Sequence, residues 1–247
     1  TQWSSSAASD VYKRQQVRRI ILIFFILWPI SLHADLNFNY GSGIAAKTDY
    51  AEKSLITAME KVGDRIYAVG VHGIIMFSDN NGDTWTQADF VPYQNTITDI
   101  SCTSVKMCWV TGHDATILHS SDSGLNWTKQ YEDYDFDAPL LSIHMYDDKE
   151  GIAIGAFALS LRTSNGGESW DYLFLDDDDY QPHLNYVYGD NQAWRKSAKD
   201  EGYAVGEIGK YYISDDRGLN WLVVDTGYIG SYWSCLLYTS PSPRDNR

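Results

Sequence analysis

A net charge of -14 over 247 residues, from 33 Asp and Glu against 19 Lys and Arg, sets this chain against partners that present phosphate backbones or anionic lipid headgroups, because like-signed surfaces repel. Nucleic-acid binding is thereby excluded from the expected functions. The aromatic content of 14% is high for so acidic a chain, and rings supply the burial that disordered acidic segments lack, so a folded core is expected.

In chain order, SSSAASDVYKRQ at 4–15 and, at the far end, CLLYTSPSPRDNR at 235–247 fit no other pattern and resemble translated sequencing-adapter read-through. Segments 1–15 and 235–247 are set aside on that ground. From 16 to 34, Arg18 and Arg19 precede an apolar run that closes at Ala34, a small residue where a signal peptidase can cut. A run of about 13 apolar residues is shorter than the roughly 20 that a transmembrane helix needs, so 16–34 reads as a secretory signal. The mature chain is then expected to begin at Asp35, to be exported to a bacterial periplasm or beyond, and to keep no membrane-inserted segment. The remaining 35–234 hold 31 acidic and 13 basic residues, a net charge of −18, in a length suited to one domain.

Within that segment an eight-residue turn recurs four times. It reads SDNNGDTW at 78–85, SSDSGLNW at 120–127, TSNGGESW at 163–170 and SDDRGLNW at 214–221, with tryptophans 42, 43 and 51 residues apart. Gly70, Gly112, Gly155 and Gly206 each precede the Ser or Thr of the turn by eight residues. Such a period is the length of one four-stranded propeller blade. Each repeat divides into four short runs of alternating or continuous apolar character between turn residues, as half-buried antiparallel strands do. The first is LITAME, RIYAVG, IIMFS and TWTQAD; the third is LLSIHMY, GIAIG, LSLRT and SWDYLFL. The fourth repeat carries an extra DNQAWRKSAKDE at 190–201, expected as a hairpin loop. Beyond it IGSYWS begins a fifth first strand, so the natural protein is expected to be longer, with six or seven blades.

The turn has a physical reading of its own. Ser78, Ser120, Thr163 and Ser214 with Asn80, Asp122, Asn165 and Asp216 fold the loop by bonding backbone N–H groups two or three residues on. Gly82, Gly124, Gly167 and Gly218 permit its geometry, and Trp85, Trp127, Trp170 and Trp221 pack between blades. The repeat resembles the Asp-box, or bacterial neuraminidase repeat, propellers. Within these it is similar to the photosystem II stability and assembly factor repeat family, whose blades carry a Y-A-V-G stretch before the box, here IYAVG at 66–70 and GYAVG at 202–206. The resemblance covers about 50 to 230. It implies an all-β propeller of four-stranded antiparallel blades, here four to five of them; no cofactor and no metal are expected. It also implies a helper that holds a protein client, a membrane-protein subunit, from the periplasmic or lumenal side. What matches is the repeat: those relatives are known for a basic patch, and this acidic chain shows none.

Cys102 and Cys108 face each other if TDISCTSVKMCWV folds about Val105, which pairs 102 with 108. Opposed strand residues suit the Cβ separation of a disulfide, and an exported chain meets oxidising conditions.

In meandering blades the box turns share one face with the first hairpins. The other face then collects the loops starting at Gly70, Gly112, Gly155 and Gly206, together with the inter-blade linkers DFVPYQN (89–95), YEDYDFD (131–137) and LDDDDYQPH (175–183). Tyr131, Asp133, Tyr134, Asp135, Phe136, Asp137, Phe174, Asp176, Asp177, Asp178, Asp179 and Tyr180 are the candidate partner-binding residues, since rings anchor and carboxylates select. Asp176 to Asp179 lack the spaced ligands and glycine of a calcium loop. His72, His113 and Asp114 lie on equivalent loops, where exposed histidine is common.

Sialidases share the box, so an enzyme is the alternative, as a glycan-binding or glycoside-hydrolysing propeller; a purely structural repeat is the third reading. Sialidase chemistry, as the resemblance implies it, needs an arginine cluster for the substrate carboxylate. The repeats hold Arg65, Arg162, Arg195 and Arg217 at unrelated places, which are not expected to converge, and no nucleophile elbow or phosphate loop accompanies them. The expected function is therefore a non-enzymatic propeller that binds a protein.

Overall fold

The computed structural model describes residues 43–136, 138–175, 181–190 and 201–234. The expected signal at 16–34, the segments 1–15 and 235–247, Asp137, Asp176 to Asp179, Tyr180 and the insertion at 191–200 lie outside the described residues. Among the described residues sixteen strands form four sheets. The first holds β1 (Ile56–Val62), β2 (Arg65–Gly70), β3 (Ile75–Ser78) and β4 (Thr86–Gln87), and the second β5 (Ile97–Cys102), β6 (Cys108–Gly112), β7 (Ile117–Ser120) and β8 (Thr128–Tyr131). The third holds β9 (Leu140–Met145), β10 (Gly151–Gly155), β11 (Ser160–Thr163) and β12 (Asp171–Tyr172), and the fourth β13 (Leu184–Asp190), β14 (Glu201–Gly206), β15 (Lys210–Ser214) and β16 (Leu222–Asp225). Each sheet is an antiparallel meander in chain order. First strands adjoin in sequence, β1 with β5, β5 with β9 and β9 with β13, so the sheets are consecutive blades of a β-propeller.

The period of two decides what packs where. Tyr67, Val69, Ile75 and Phe77 of blade one meet Ile100, Val110, Leu118 and Trp127 of blade two. The next seam joins Trp109 and Ile117 to Ile143, Ala153, Leu161 and Trp170, and the third joins Ile152 and Ile154 to Val187, Ala204 and Tyr212. Trp127, Trp170 and Trp221 thus sit between a blade and its predecessor. Trp85 differs: it packs on Ala68, Ile74 and Met76 of its own blade and on Ala51 just before it, and stays half-buried, because among the described residues no sheet precedes blade one.

The four turns close alike. Ser78 Oγ accepts from Gly82 N at 2.9 Å and Asn80 Oδ1 from Thr84 N at 2.9 Å; the second turn repeats this with Gly124 N at 3.0 Å and Asn126 N at 2.9 Å. In the third and fourth, Asn165 Oδ1 and Asp216 Oδ1 take Ser169 N at 3.0 Å and Asn220 N at 2.9 Å. The expected two-residue bonds are also present, from Asn80 N, Asp122 N, Asn165 N and Asp216 N to the preceding Ser or Thr hydroxyl, and the four-residue reach is added because a glycine in the left-handed region (φ 92° at Gly82, 79° at Gly124) swings the chain back over the side chain. Cys102 and Cys108 are paired across the β5–β6 hairpin and joined by a disulfide, S–S 2.06 Å.

Two fourth strands, β4 and β12, are shorter than TWTQAD and SWDYLFL suggest. After Ala88 the chain leaves its own sheet, and Asp89 N and Phe90 N donate instead to Leu125 O in the turn of the next blade. Short outer strands also leave little open edge for unwanted pairing.

The inner strands are tied by side chains. Asp99 Oδ2 accepts from Ile143 N at 3.0 Å, Ser101 Oγ from Met145 N at 3.0 Å and Ser142 Oγ from Val187 N at 3.2 Å. Thr57 and Thr98, at irregularities in β1 and β5, donate forward to Ile97 O (2.7 Å) and Leu140 O (2.6 Å). Asn185 Nδ2 does the same to Tyr232 O at 2.9 Å, and Tyr232 N donates to Gly206 O. Residues 231–234 form no strand, yet Tyr232 occupies the place that Ile97 and Leu140 hold at the start of a first strand.

Candidate functional site

The face opposite the box turns is built from the second-to-third strand loops and the linkers, and the two are bonded together. Gly73 N, Ala115 N, Ala158 N and Gly209 N each donate at 2.8 Å to a linker carbonyl, those of Asn95, Ala138, Pro182 and Gly230. To aim these N–H groups the chain turns left-handed at His72 (φ 58°), Asp114 (56°), Phe157 (55°) and Ile208 (51°), conformations that non-glycine residues adopt at a cost. At Gly73 the approach is so close that a Cβ would stand 2.1 Å from Tyr93 O. Asn95 Nδ2 donates to the Asp114 carboxylate at 2.8 Å, and Phe157, half exposed at the loop tip, lies 4.9 Å from the His183 ring. Among the described residues no His, Cys, Asp and Glu group is placed to hold a metal.

The linker from blade two gathers rings around a carboxylate. Past Tyr131, Asp133 Oδ1 accepts from Asp135 N (3.0 Å) and Phe136 N (3.2 Å), a local turn of the kind short acidic side chains make. Its Oδ2 accepts from the Tyr172 hydroxyl at 2.7 Å, and that hydroxyl is 3.2 Å from the Tyr131 hydroxyl. The Phe136 and Tyr172 rings are 6.5 Å apart. The Tyr172 hydrogen bond holds the Asp133 carboxyl below its ordinary pKa, and hydrogen bonding with Tyr131, then with Asp133, pushes the Tyr172 phenol up. Tyr134 is 64% exposed, its ring 6.0 Å from the Lys129 ammonium, which pairs with Glu132. Phe174 is 84% exposed, two residues beyond Tyr172.

The structure therefore brings Tyr131, Asp133 and Phe136 together, sets Tyr134 and Asp135 on the same turn, and adds Tyr172, which sequence reasoning missed. Asp137, Asp176 to Asp179 and Tyr180 lie outside the described residues. Tyr172 carried one usable signal: it stands two residues after its box tryptophan, as Lys129 does, which aligns it with the outer strand nearest the preceding linker.

The arginines correct one expectation. Arg162 Nη2 lies 3.2 Å from Glu150 Oε1, and Arg217 Nη1 lies 2.9 Å from Glu150 Oε2 and 2.7 Å from Asp147 Oδ2, so these two do converge. They meet on carboxylates of the β9–β10 hairpin, because Arg217 sits at the tip of a box turn that docks on the preceding blade. Arg65 is elsewhere, with Nε 2.7 Å from Asp79 Oδ1. The converging guanidinium groups are already neutralised and tie blade four to blade three, an arrangement unlike a clamp for a substrate carboxylate.

Comparison with known proteins fits this architecture. The family model described as "Photosynthesis system II assembly factor YCF48" matches residues 89–232, more than half of the chain. Among curated relatives, the chloroplastic photosystem II stability/assembly factor HCF136 of Arabidopsis thaliana is 29% identical over 114 residues, 44% of this chain and 26% of the relative. The photosystem II assembly lipoprotein Ycf48 of Synechococcus sp. (strain CC9902) is 24% identical over 155 residues, 62% of this chain and 43% of the relative. The chain thus spans less than half the length of these relatives. A solved structure of YCF48 bound to D1 peptide superposes with a TM-score of 0.53 at 19% identity, covering 70% of this chain and 54% of the other. The propeller fold alone is shared more widely, for example with an ancestral GH74 enzyme at 16% identity, TM-score 0.53, covering 68% of this chain and 24% of that enzyme. On the length of the match and the repeat that carries it, the chain belongs to the photosystem II assembly factor YCF48 family.

Proposed function

We propose that this chain is an exported, non-enzymatic propeller that binds a protein client, a membrane-protein subunit, through the face carrying the inter-blade linkers. The observation that carries the reading is the assembly of Tyr131, Phe136 and Tyr172 around Asp133, with Tyr134 and Phe174 exposed beside it. Exposed rings ordered by a hydrogen-bonded carboxylate give a partner apolar area at low entropic cost. Kinship with assembly factors, and a relative solved with a peptide bound, support a protein ligand over a glycan. Export is supported by the expected secretory signal at 16–34 and by a lipoprotein and a chloroplastic protein among the relatives.

The test is affinity capture from a detergent-solubilised envelope, with a glycan array run beside it. The wild type retains a defined membrane-protein partner, and Tyr134→Ala/Phe136→Ala loses it while unfolding at the same denaturant concentration. Binding to glycans alone, or capture indifferent to both substitutions, overturns the proposal.

A further inference from the structure

Blade one contains a cation site filled by the chain itself. The Arg65 guanidinium lies 4.0 Å from the Phe77 ring centre and 5.9 Å from that of Tyr67. Its Nε and Nη2 donate, each at 2.7 Å, to the two oxygens of Asp79. A ring face attracts a cation through its quadrupole, and a carboxylate matches the guanidinium fork.

The same components recur between blades two and three with no arginine among them. Phe136 and Tyr172 lie 6.5 Å apart, Tyr131 joins through its hydroxyl, and Asp133 is bonded to Tyr172. Asp133 accepts three donors, the Asp135 and Phe136 amides and the Tyr172 hydroxyl, of the roughly four lone-pair sites a carboxylate offers. Among the described residues no cation reaches it, since Lys129 is engaged by Glu132 and leans toward Tyr134. The rings are open to solvent, Tyr172 at 52% and Phe136 at 38%, and Asp135 and Asp171 stand exposed alongside.

We propose that this rim receives the guanidinium of an arginine from an extended segment of the client protein, an inference that rests on the linker face being the client surface. Charge complementarity favours it, for 35–234 carry −18 and the site's own carboxylate faces solvent. Arginine suits the site better than lysine, because a planar guanidinium stacks on a ring while its N–H groups still reach a carboxylate.

The probes are N-acetyl-arginine amide and its lysine and citrulline counterparts, titrated into the full chain while ring resonances of Tyr131, Phe136 and Tyr172 are followed by NMR. The arginine compound shifts all three saturably, the lysine compound binds about threefold more weakly, and the uncharged citrulline compound leaves them unmoved. Asp133→Asn, which preserves the turn-forming oxygen, abolishes the preference for arginine over citrulline. Tyr172→Ala weakens binding about three- to tenfold, whereas Tyr172→Phe, which keeps the ring, stays within about twofold. Equal shifts with arginine and citrulline, or an arginine response unchanged in Asp133→Asn, overturn the inference. Client capture is scored separately. A client held equally by wild type and Asp133→Asn, with no arginine response, removes the arginine site and leaves the client surface standing; an arginine response without any captured client removes the broader reading instead.

Discussion

Trp127 and Asp122 belong to one turn and stabilise the molecule through different physics. The Trp127 side chain is fully buried in the seam between blades one and two and donates from Nε1 to Gly124 O at 3.1 Å. Truncation to alanine is expected to cost about 3 to 5 kcal/mol, as for large aromatics in cores. Asp122 is exposed and caps the Asn126 amide, so Asp122→Ala should cost about 0.5 to 2 kcal/mol. Trp85→Ala, at a half-buried position, should lose only about 1 to 2 kcal/mol. Denaturant midpoints of the three variants give the ranking directly. The turn could be read in the sequence because its bonds span four residues or fewer. The exposure of Trp85 could not, since it depends on what packs across the sheet. Nor could the Tyr172 contact with Asp133, whose partners are 39 residues apart and meet only once two blades are stacked.

At the scale of strands and hairpins, blade boundaries were legible from period and turn residues, while the ties between first strands were not. Asp99 and Ser101 accept amides from the next blade, 44 residues on, a partner that no local spacing reveals. Burial drives the Asp99 pKa from 3.8 to about 6, opposed by hydrogen bonds from Ser142, Ile143 and Ile100. Glu60, half-buried on β1, is raised from 4.5 to about 8, by burial first and then by the Asp99 charge, against the Cys102 amide. Between the unfolded and folded pKa values the folded chain binds more protons, so stability falls as pH rises. Thermal melts should therefore show a gain on acidification from pH 8 to about 5, worth up to about 5 kcal/mol for the pair, and Glu60→Gln should flatten the slope above pH 6. A second element-scale test concerns the β5–β6 hairpin. The Cys102–Cys108 disulfide closes a short loop, so Cys102→Ser/Cys108→Ser is expected to lower stability by about 2 kcal/mol by the loop-entropy relation. Intact mass before and after reduction of the purified protein reports the bridge itself.

For the molecule as a whole, charge and its placement govern how a partner approaches. With −18 over 35–234, long-range attraction would bring a basic segment toward the protein before any contact forms, and short-range contacts would then decide how long it stays. The linker face separates these roles. Asp133 and Asp135 supply carboxylates and Tyr134, Phe136 and Phe174 exposed rings; Asp176 to Asp179, outside the described residues, follow Phe174 in sequence by two positions and more. Association with a client should slow as salt is added, since the Debye length shortens to about 8 Å at physiological ionic strength. Replacing Asp176 to Asp179 by asparagine should lower chiefly the association rate, by several-fold at low salt and little at high salt. Replacing Tyr134 and Phe136 by alanine should raise chiefly the dissociation rate, by about tenfold or more if each ring loses roughly 1 kcal/mol of burial. The ring substitutions should move unfolding by no more than about 0.5 kcal/mol, because Tyr134 and Phe136 are both exposed to solvent. Stopped-flow association and chase-monitored dissociation, each across a salt series, separate the two effects. If both variants bind the captured client with wild-type kinetics, the recognition surface lies elsewhere, and the face carrying the box turns, where Arg217 bridges two blades, becomes the one to mutate.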